Sequence, residues 1–347
     1  MSNNIASLSI AARATLNMHS LNNEGGEGNQ IQTRMVDIIG SDGKLYTVNA
    51  ISGDMLKHIL MEHFYQQARA RHVHLCQGCQ KFNANRINAD DPFMTETAKL
   101  KDGDFIDRVL EHCAIDDVAG ILVTENKRSI PRKSISEFGW VLGLPGKVRT
   151  DNYFHVKYVP ERGEEKRAAD AQEQKTGANL GQSIFHRPSS SGIYAFVCHL
   201  ELARIGYNDI KQGYAINDDE RQLRASLLLE SLLHTFIELN GAMRSSQLPH
   251  MVALEGAITF STGTIPAPLV SPLLEKPKLL VEGNEVDNPD NRFFYREQLE
   301  GIASALNGSS EQIVQVVLFD SISDFAREMR TLIDTHSPFK LAVGANS

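Results

Sequence analysis

The chain has 347 residues, 41% hydrophobic and 22% charged, which is ordinary for a globular protein with one large or two medium domains. Its net charge of −8 excludes a uniformly basic nucleic-acid-binding protein, so any nucleic-acid site must be a local groove on an acidic body. The chain has no long apolar run, no signal peptide is expected from MSNNIASLSI, and the four cysteines are too few for a disulfide scaffold. These features predict a cytoplasmic protein without a membrane partner.

The first predicted element is a long β-strand within SLSIAARATLNMHS. Its residues alternate with a period of two, which is typical of a strand with one buried and one open face. About 12 residues at roughly 3.3 Å each give a length of about 40 Å. The apolar face is predicted to hold Leu8, Ile10, Ala12, Ala14, Leu16 and Met18, and the open face Ser7, Ser9, Ala11, Arg13, Thr15, Asn17 and His19.

A hairpin and a helix follow the Gly/Asn-rich loop NNEGGEGNQ. The segments IQTRMVDII and KLYTVNA flank GSDG, which predicts a turn through Asp42 and Gly43. In ISGDMLKHILMEHFYQQAR, Ser52 is a good N-cap and Asp54 lies in the first turn, where the helix dipole favours an anion. An apolar stripe identifies the buried side of this helix: Met55, Leu56, Ile59, Leu60 and Phe64.

The middle of the chain is less regular. Residues 73–117 are rich in Cys, His and Asn and predict short helical pieces, and VAGILVT at 118–124 predicts a buried strand. Residues 125–190 are polar, and ERGEEKRAADAQEQKTG has the composition of a solvated arm.

Regular elements return in the second half. SGIYAFVCHLELARIG predicts a long strand with one shared face, formed by Tyr194, Phe196, Cys198, Leu200 and Leu202. NDDERQLRASLLLESLLHTFIELNG predicts a helix that begins at Asn217 or Asp218 and has Gly241 as its C′ residue. The remaining predictions are a strand in MVALEGAITFSTG, helices near 290–306 and 321–334, and a strand in QIVQVVLF.

Without the insertions, the order is strand, helix, strand, strand, helix, strand. This order predicts an α+β fold of the ferredoxin-like type, with helices on one face of a four-stranded antiparallel sheet and an open second face. RNA-recognition motifs use this fold with the open face toward RNA, but unrelated proteins share it.

Several polar segments have the chemistry of phosphate or ribose contacts. The open face carries Arg13, Thr15, Asn17 and His19, which suit the sugar-phosphate backbone better than the bases, although a solvated face explains them equally well. The glycines of EGGEGNQ could form an anion nest. The helix start at Ser52-Gly53, with Lys57 and His58 one turn on, could seat a phosphate, and GAMRSSQ at 241–247 places one Arg among small residues.

The segment CQGCQ supplies Cys76 and Cys79 with the spacing of zinc ligands. His74 precedes them, and EHC supplies Cys113. A second CxxC is absent, so free thiols in an insertion are the alternative to a structural zinc held by Cys76, Cys79, Cys113 and a histidine, His74.

The sequence assembles no catalytic set. It has no GxSxG, no HExxH and no group of carboxylates with metal-ligand spacing. We therefore expect a binding protein and not an enzyme.

The segments SLSIAARATLNMHSLN and VNAISGDMLKH resemble the DevR-type backbone subunit of type I CRISPR effector complexes (Cascade). LCQGCQKFNANR, CAIDDVAG, YAFVCHLELARIG and NGAMRSSQLPHM are similar to the same family, in the same order along nearly the whole chain. The polar stretch around 161–180 is not diagnostic.

This resemblance implies a palm, a helical fingers insertion and a hairpin thumb. The palm would comprise residues 1–72, 118–146 and 191–347, the last with the C-terminal helices, the fingers 73–117, and the thumb 147–190. Several copies would line up head to tail along one CRISPR RNA (crRNA), whose base pairing with target DNA reads the sequence.

The resemblance also implies partners and contacts. The partners would be crRNA, target DNA through the guide, further copies of the chain, a subunit capping the 5′ handle, a large subunit and the endoribonuclease that processes the repeats. The expected RNA contacts are Arg13, Thr15, Asn17, His19, Asn22, Asn29, Gln30, Arg34, Ser52, Gly53, Lys57, His58, Lys147, Met243, Arg244, Ser245 and Ser246.

Two other functions stay open. One is a ribonuclease like the backbone subunits of type III complexes, for which Glu24, Glu27 and Asp37 lie near the first loop. The other is a zinc or redox protein built on CQGCQ, including a zinc-binding regulator that binds RNA or DNA.

Overall fold

The computed structural model describes residues 4–27, 30–158, 182–282, 284–286, 288–308 and 312–342. The protein has the predicted mixed α+β architecture, in which helices pack on a large, mainly antiparallel sheet. Within these residues, no helix combines the length and apolarity that crossing a membrane requires.

The bounds of the elements are as follows. The helices are α1 (Gly53–Ala70), α2 (Gln77–Gln80), α3 (Asp91–Glu96), α4 (Asp102–His112), α5 (Ala114–Ala119), α6 (Asp218–Ile237), α7 (Phe294–Asn307) and α8 (Ile322–Thr335). The strands are β1 (Asn4–Ile5), β2 (Ser7–His19), β3 (Asn23–Glu27), β4 (Gln30–Thr33), β5 (Met35–Ile39), β6 (Leu45–Ile51), β7 (Ile121–Val123), β8 (Ile130–Arg132), β9 (Ser136–Phe138), β10 (Val141–Tyr158), β11 (Gln182–Leu200), β12 (Tyr207–Asn208), β13 (Gly213–Tyr214), β14 (His250–Ser261), β15 (Leu279–Val281), β16 (Asn284–Val286), β17 (Val314–Phe319) and β18 (Ser337–Pro338).

The main sheet has the strand order β17-β14-β2-β11-β10-β6-β5. The predicted first strand, β2, lies in its middle and pairs antiparallel with β11 on one side and β14 on the other. At the centre of these ladders, Ala14 is opposite both Tyr194 and Leu254. The long alternating segments of the sequence are therefore the central strands of one sheet.

One face of β2 forms the main core, as the alternation predicts. Its inward residues Leu8, Ile10, Ala12, Ala14 and Leu16 are fully buried, and they belong to one hydrophobic cluster with side chains of α1, α6 and α8. The N-caps of α1 and α6 are also as predicted. The Ser52 hydroxyl accepts a hydrogen bond from the backbone N–H of Met55, and the Asn217 side chain accepts one from Glu220.

The prediction of an open second face is wrong for the first half of β2. Ser9, Ala11 and Arg13 are buried beneath a segment from Ala267 to α7. Ala11 packs with Tyr295 and Leu299 of α7, and the Ser9 hydroxyl donates to the Ala267 carbonyl. The polar side chains of Ser9 and Arg13, which predicted a solvent-exposed face, therefore donate hydrogen bonds to carbonyl groups of this covering segment.

Three local predictions are also wrong. In VAGILVT, Val118 and Ala119 end α5, and only Ile121–Val123 form a strand, because a short apolar run does not distinguish a buried helix from a strand. Met18 is 43% exposed and has a φ of 54°, which turns it out of the alternation. Helix α6 ends at Ile237, short of Gly241.

A buried ion cluster joins the Cys-rich insertion to the rest of the protein. The Asp117 carboxylate, which is fully buried, accepts hydrogen bonds from Arg132 at 2.7 Å and Arg224 at 3.0 Å. The backbone N–H of Gly206 donates to the same carboxylate at 3.0 Å. Because each charge is paired inside the protein, this cluster holds the end of the insertion against α6.

Candidate nucleic-acid interface

A two-stranded ribbon extends beyond the end of β2. Strands β10 and β11 stay paired from Val148↔Gly192 to Tyr158↔Gln182, whereas β2 pairs with β11 only as far as His19↔Ser190. Beyond β2, β11 pairs with β4 at His186↔Gln30, and the ribbon stands beside the loop that follows α6. Residues 159–181, which hold most of the predicted arm, lie outside the described residues.

A cleft of about 470 Å³ lies between this ribbon and the loop. It brings together three parts of the sequence: the end of β2, the root of the ribbon and the segment GAMRSSQ with its continuation. Its lining is Met18, Tyr153, Phe154, Arg244, Ser245, Ser246, Gln247, Leu248 and His250.

The cleft combines exposed rings with cations. Phe154 is 71% exposed, and its ring centroid lies 4.4 Å from that of His186 on the opposite strand. Arg187 donates a hydrogen bond to the Ser246 hydroxyl at 3.3 Å, and Arg244 pairs with Glu238 at the rim. Exposed rings can stack on bases and guanidinium groups can contact phosphates, so this surface suits a single nucleic-acid strand.

A second cleft, of about 300 Å³, lies between α1 and the Cys-rich insertion. The predicted residues Lys57 and His58 line one wall, and Asn83 and Arg86 line the other. Burial and the nearby Arg86 lower the pKa of Lys57 from its ordinary value. Asp54 also lines this cleft, so its two cations face one carboxylate at the start of α1.

Arg13 is buried and is bound mainly by carbonyl groups of the protein itself. It is 5% exposed, and its guanidinium donates to the carbonyl of Pro272 at 2.6 and 2.8 Å and to that of Asn291 at 3.4 Å. It also lies 3.7 Å from the Glu275 carboxylate and over the Tyr295 ring. Arg13 therefore anchors the covering segment to the sheet, and most of its donors are engaged within the protein.

His19 and Asn22 are also buried, against the prediction. His19 is 2% exposed and packs edge-to-face on Tyr194, with 4.9 Å between ring centroids. Burial lowers the pKa of His19 to about 4, so the ring is neutral at pH 7. The Asn22 side chain accepts a hydrogen bond from the backbone N–H of Ser52 at 3.3 Å, which positions the start of α1.

Of the remaining predicted contacts, Thr15 and Lys147 line one cleft of about 360 Å³ together with Arg13. The others are distributed around the sheet. Gly53 lies against the backbone of β9, where a Cβ would come within 2.5 Å of the Phe138 carbonyl oxygen. This close packing alone explains why a glycine occupies the position. Arg34 lies over the Trp140 ring, and Lys147 pairs with Glu275 at 3.3 Å. Thr15 and Asn17 are half-buried, and Met243 lies half-buried before Arg244. Asn29 lies outside the described residues, as does the Gln30 side chain.

The predicted metal ligands come together, with one replacement. Cys76, Cys79 and Cys113 lie close to Asp116, and one ligand atom from each is within 4.8 Å of all the others. His74 is not the fourth member, because its side chain is exposed and its Nδ1 is paired with the His112 carbonyl. Burial raises the pKa of the Asp116 carboxyl well above its usual range.

Sequence reasoning missed Tyr153, Phe154, Arg187 and Asp116. The two aromatic residues occur in DNYFHVKY, whose alternation could have indicated a strand, but the polar composition around it pointed to an irregular region. Asp116 follows Cys113 by three residues, which is a ligand spacing within one helical turn. The next residue is also an aspartate, and spacing along the chain does not choose between them.

The fold defines an α+β protein of negative net charge, with cations among the residues that line its clefts. The family described as "DevR: CRISPR-associated negative auto-regulator DevR/Csa2" matches residues 10–278, and the chain belongs to this family. The resemblance to the DevR family found in the sequence is thereby confirmed.

Individual proteins are also similar to this chain. A protein of Methanocaldococcus jannaschii named "CRISPR-associated protein Cas7/Cst2/DevR" is 26% identical over 276 residues, which are 75% of this chain and 82% of that protein. Among solved structures, a chain of a "CRISPR RNA-guided surveillance complex, pre-nicking" aligns over 94% of this chain and 99% of its own, with a TM-score of 0.48 and 10% identity. Csc2 of Thermofilum pendens aligns over 95% and 85%, with a TM-score of 0.37 and 11% identity.

Proposed function

We propose that the protein is a repeated, non-catalytic backbone subunit of a type I CRISPR surveillance complex. Each copy binds the sugar-phosphate backbone of the crRNA, and bases other than the one stacked on Phe154 stay free to pair with target DNA. The observation that carries this proposal is the cleft at the root of the ribbon, where Phe154 and Tyr153 are exposed beside Arg187 and Arg244. Membership of a CRISPR-associated family supports it.

The order of the central strands supports a ferredoxin-like palm. The four core strands are, in chain order, β2, β10, β11 and β14. Across the sheet they are arranged β14-β2-β11-β10, so the fourth strand lies beside the first, the first beside the third, and the third beside the second. This is the strand order of the split βαβ arrangement, with α1 and α6 as its two crossover helices. The Cys-rich helices then form the fingers, and the β10–β11 ribbon forms the base of the thumb.

RNA retention tests the proposed interface. Purified protein is expected to carry RNA of uniform length, and the double variant Arg187→Ala/Arg244→Ala should retain less of it. The two guanidinium groups act as phosphate contacts, so their removal should reduce the salt slope of log Kd by about two.

Arg327→Ala/Arg330→Ala is the matched control, because both residues are exposed arginines on α8, away from the cleft. Equal RNA retention in the two double variants would contradict the assignment of the cleft.

Assembly tests the proposed arrangement of copies. A head-to-tail contact that does not close on itself builds a row whose length follows the RNA. We expect rows of copies by electron microscopy only when RNA is present, and loss or shortening of the rows when residues 160–180 are deleted. Rows of full length from the deleted protein would contradict the role of the thumb.

A ribonuclease of the type III kind is the main alternative. The Asp37 carboxylate is exposed on β5 and accepts a hydrogen bond from Thr47 at 2.6 Å, and the side chains of Glu24 and Glu27 are outside the described residues. We expect no cleavage when the complex is incubated with matched RNA and Mg²⁺. Periodic cuts that disappear in Asp37→Ala or Glu24→Ala would establish the alternative.

A further inference from the structure

The Cys-rich insertion contains a closed cluster of ligand-type side chains that the RNA interface does not use. Cys76, Cys79, Cys113 and Asp116 are each at most 1% exposed. The Oδ2 atom of Asp116 lies 3.4 Å from the Cys76 sulfur and 3.7 Å from the Cys79 sulfur. The four residues come from two short segments, 76–79 and 113–116, that pack against each other.

The carboxylate of Asp116 is poorly satisfied by the protein. Its Oδ1 atom has no hydrogen-bond partner and is buried, whereas the adjacent Asp117 is paired with two arginines. A buried carboxylate without compensation is costly, and thiol groups are weak donors. A cation among the four side chains would supply the missing partner.

We propose that Cys76, Cys79, Cys113 and Asp116 bind one structural Zn²⁺ ion through three sulfurs and one carboxylate oxygen. Tetrahedral zinc with Zn–S bonds of about 2.3 Å places its sulfur ligands about 3.8 Å apart. The spread of up to 4.8 Å among the four ligand atoms contracts to this size with small side-chain movements. A set of four protein ligands leaves no open position for a substrate or a catalytic water.

The ion would stabilise the loop that forms one wall of the Lys57 cleft. Gly78, between the first two ligands, packs so closely on the next turn that a Cβ would lie 2.0 Å from the Arg86 carbonyl oxygen. Cys79 and Ile115 line the same cleft as Arg86 and Lys57. Zinc would therefore hold Arg86 opposite Lys57.

Metal analysis of RNA-free protein tests the proposal without reference to RNA binding. Protein purified from zinc-supplemented cells should contain about one zinc per chain by mass spectrometry of the metals. Cys76→Ser and Asp116→Ala should each lose the ion. Cys198→Ser is the matched control, because Cys198 is equally buried but lies in β11, outside the cluster.

Cobalt replacement keeps the test valid where a variant fails to fold. Wild-type protein stripped with a chelator and reloaded with Co²⁺ should acquire thiolate-to-cobalt charge-transfer bands and the strong visible bands of tetrahedral cobalt. Metal-free wild-type protein with four titratable thiols, or a disulfide between Cys76 and Cys79, would overturn the proposal. Retention of zinc by Cys76→Ser would overturn it as well.

Discussion

The two ends of β2 have the same sequence pattern and different environments. At the first end, Ser9 and Arg13 are covered by the segment from Ala267 to α7, and both faces of the strand are buried. At the second end, Met18 is exposed and borders the cleft formed with Phe154. Alternation along a strand determines which residues share a face, but a distant segment decides whether that face is open.

Arg13 gives the largest effect that distinguishes the two ends. Arg13→Ala should lower the free energy of unfolding by about 3 kcal/mol, because it leaves buried carbonyl groups and Glu275 without their partner. Chemical denaturation measures this loss. Arg149→Ala is the control, because the Arg149 side chain is 85% exposed, and its change should stay within about 0.5 kcal/mol. Equal stability of the two variants would contradict the burial of Arg13.

The buried His19, at the second end of β2, should make the stability of the protein depend on pH. Its pKa is lowered to about 4 in the folded protein from an ordinary 6.5, so protons bind the unfolded chain more readily between these values. The contribution of His19 to the free energy of unfolding is therefore greatest above about pH 6.5. It decreases as the pH is lowered, by about 2 kcal/mol between pH 7 and pH 5. His19→Gln should remove that part of the pH slope in denaturation curves, and His250→Gln, at an exposed position, should not.

Phe154 tests the exposed end. Phe154→Leu should weaken RNA binding about tenfold, equivalent to about 1.4 kcal/mol, because a base loses its stacking partner. Fluorescence anisotropy with single-stranded RNA measures the affinity. Phe154→Tyr keeps the ring and should bind as the wild type does, while thermal unfolding should be the same for both variants. A tyrosine variant as weak as the leucine variant would argue against stacking.

Lys57 gives the smallest expected effect. Lys57→Gln should weaken RNA binding by roughly threefold and reduce the salt slope of log Kd by about one, as for a single phosphate contact. Titrations at several salt concentrations measure the slope. An unchanged slope would remove the cleft between α1 and the insertion from the RNA path. Glu62→Gln, on a half-buried position of the same helix, serves as the control for altered helix charge.

The sequence alone was sufficient where a feature depends on near neighbours. Ser52 and Asn217 cap their helices through side-chain contacts within three residues, and the turn at Asp42-Gly43 depends on the conformational freedom of Gly43, whose φ is 76°. The inward face of β2 follows from its period of two, since successive side chains of a strand point to opposite faces. The CxxC spacing of Cys76 and Cys79 likewise identified two members of the buried cluster.

The tertiary structure decided everything that depends on contacts between distant segments. Arg13 is 259 residues from Pro272, whose carbonyl it binds, and no local pattern specifies that pairing. Asp116 and Asp117 are adjacent in sequence, yet one faces three cysteines and the other two arginines, because successive residues of a helix point in different directions. The exposed ring of Phe154 became part of a site only when strand pairing placed it beside the loop after α6.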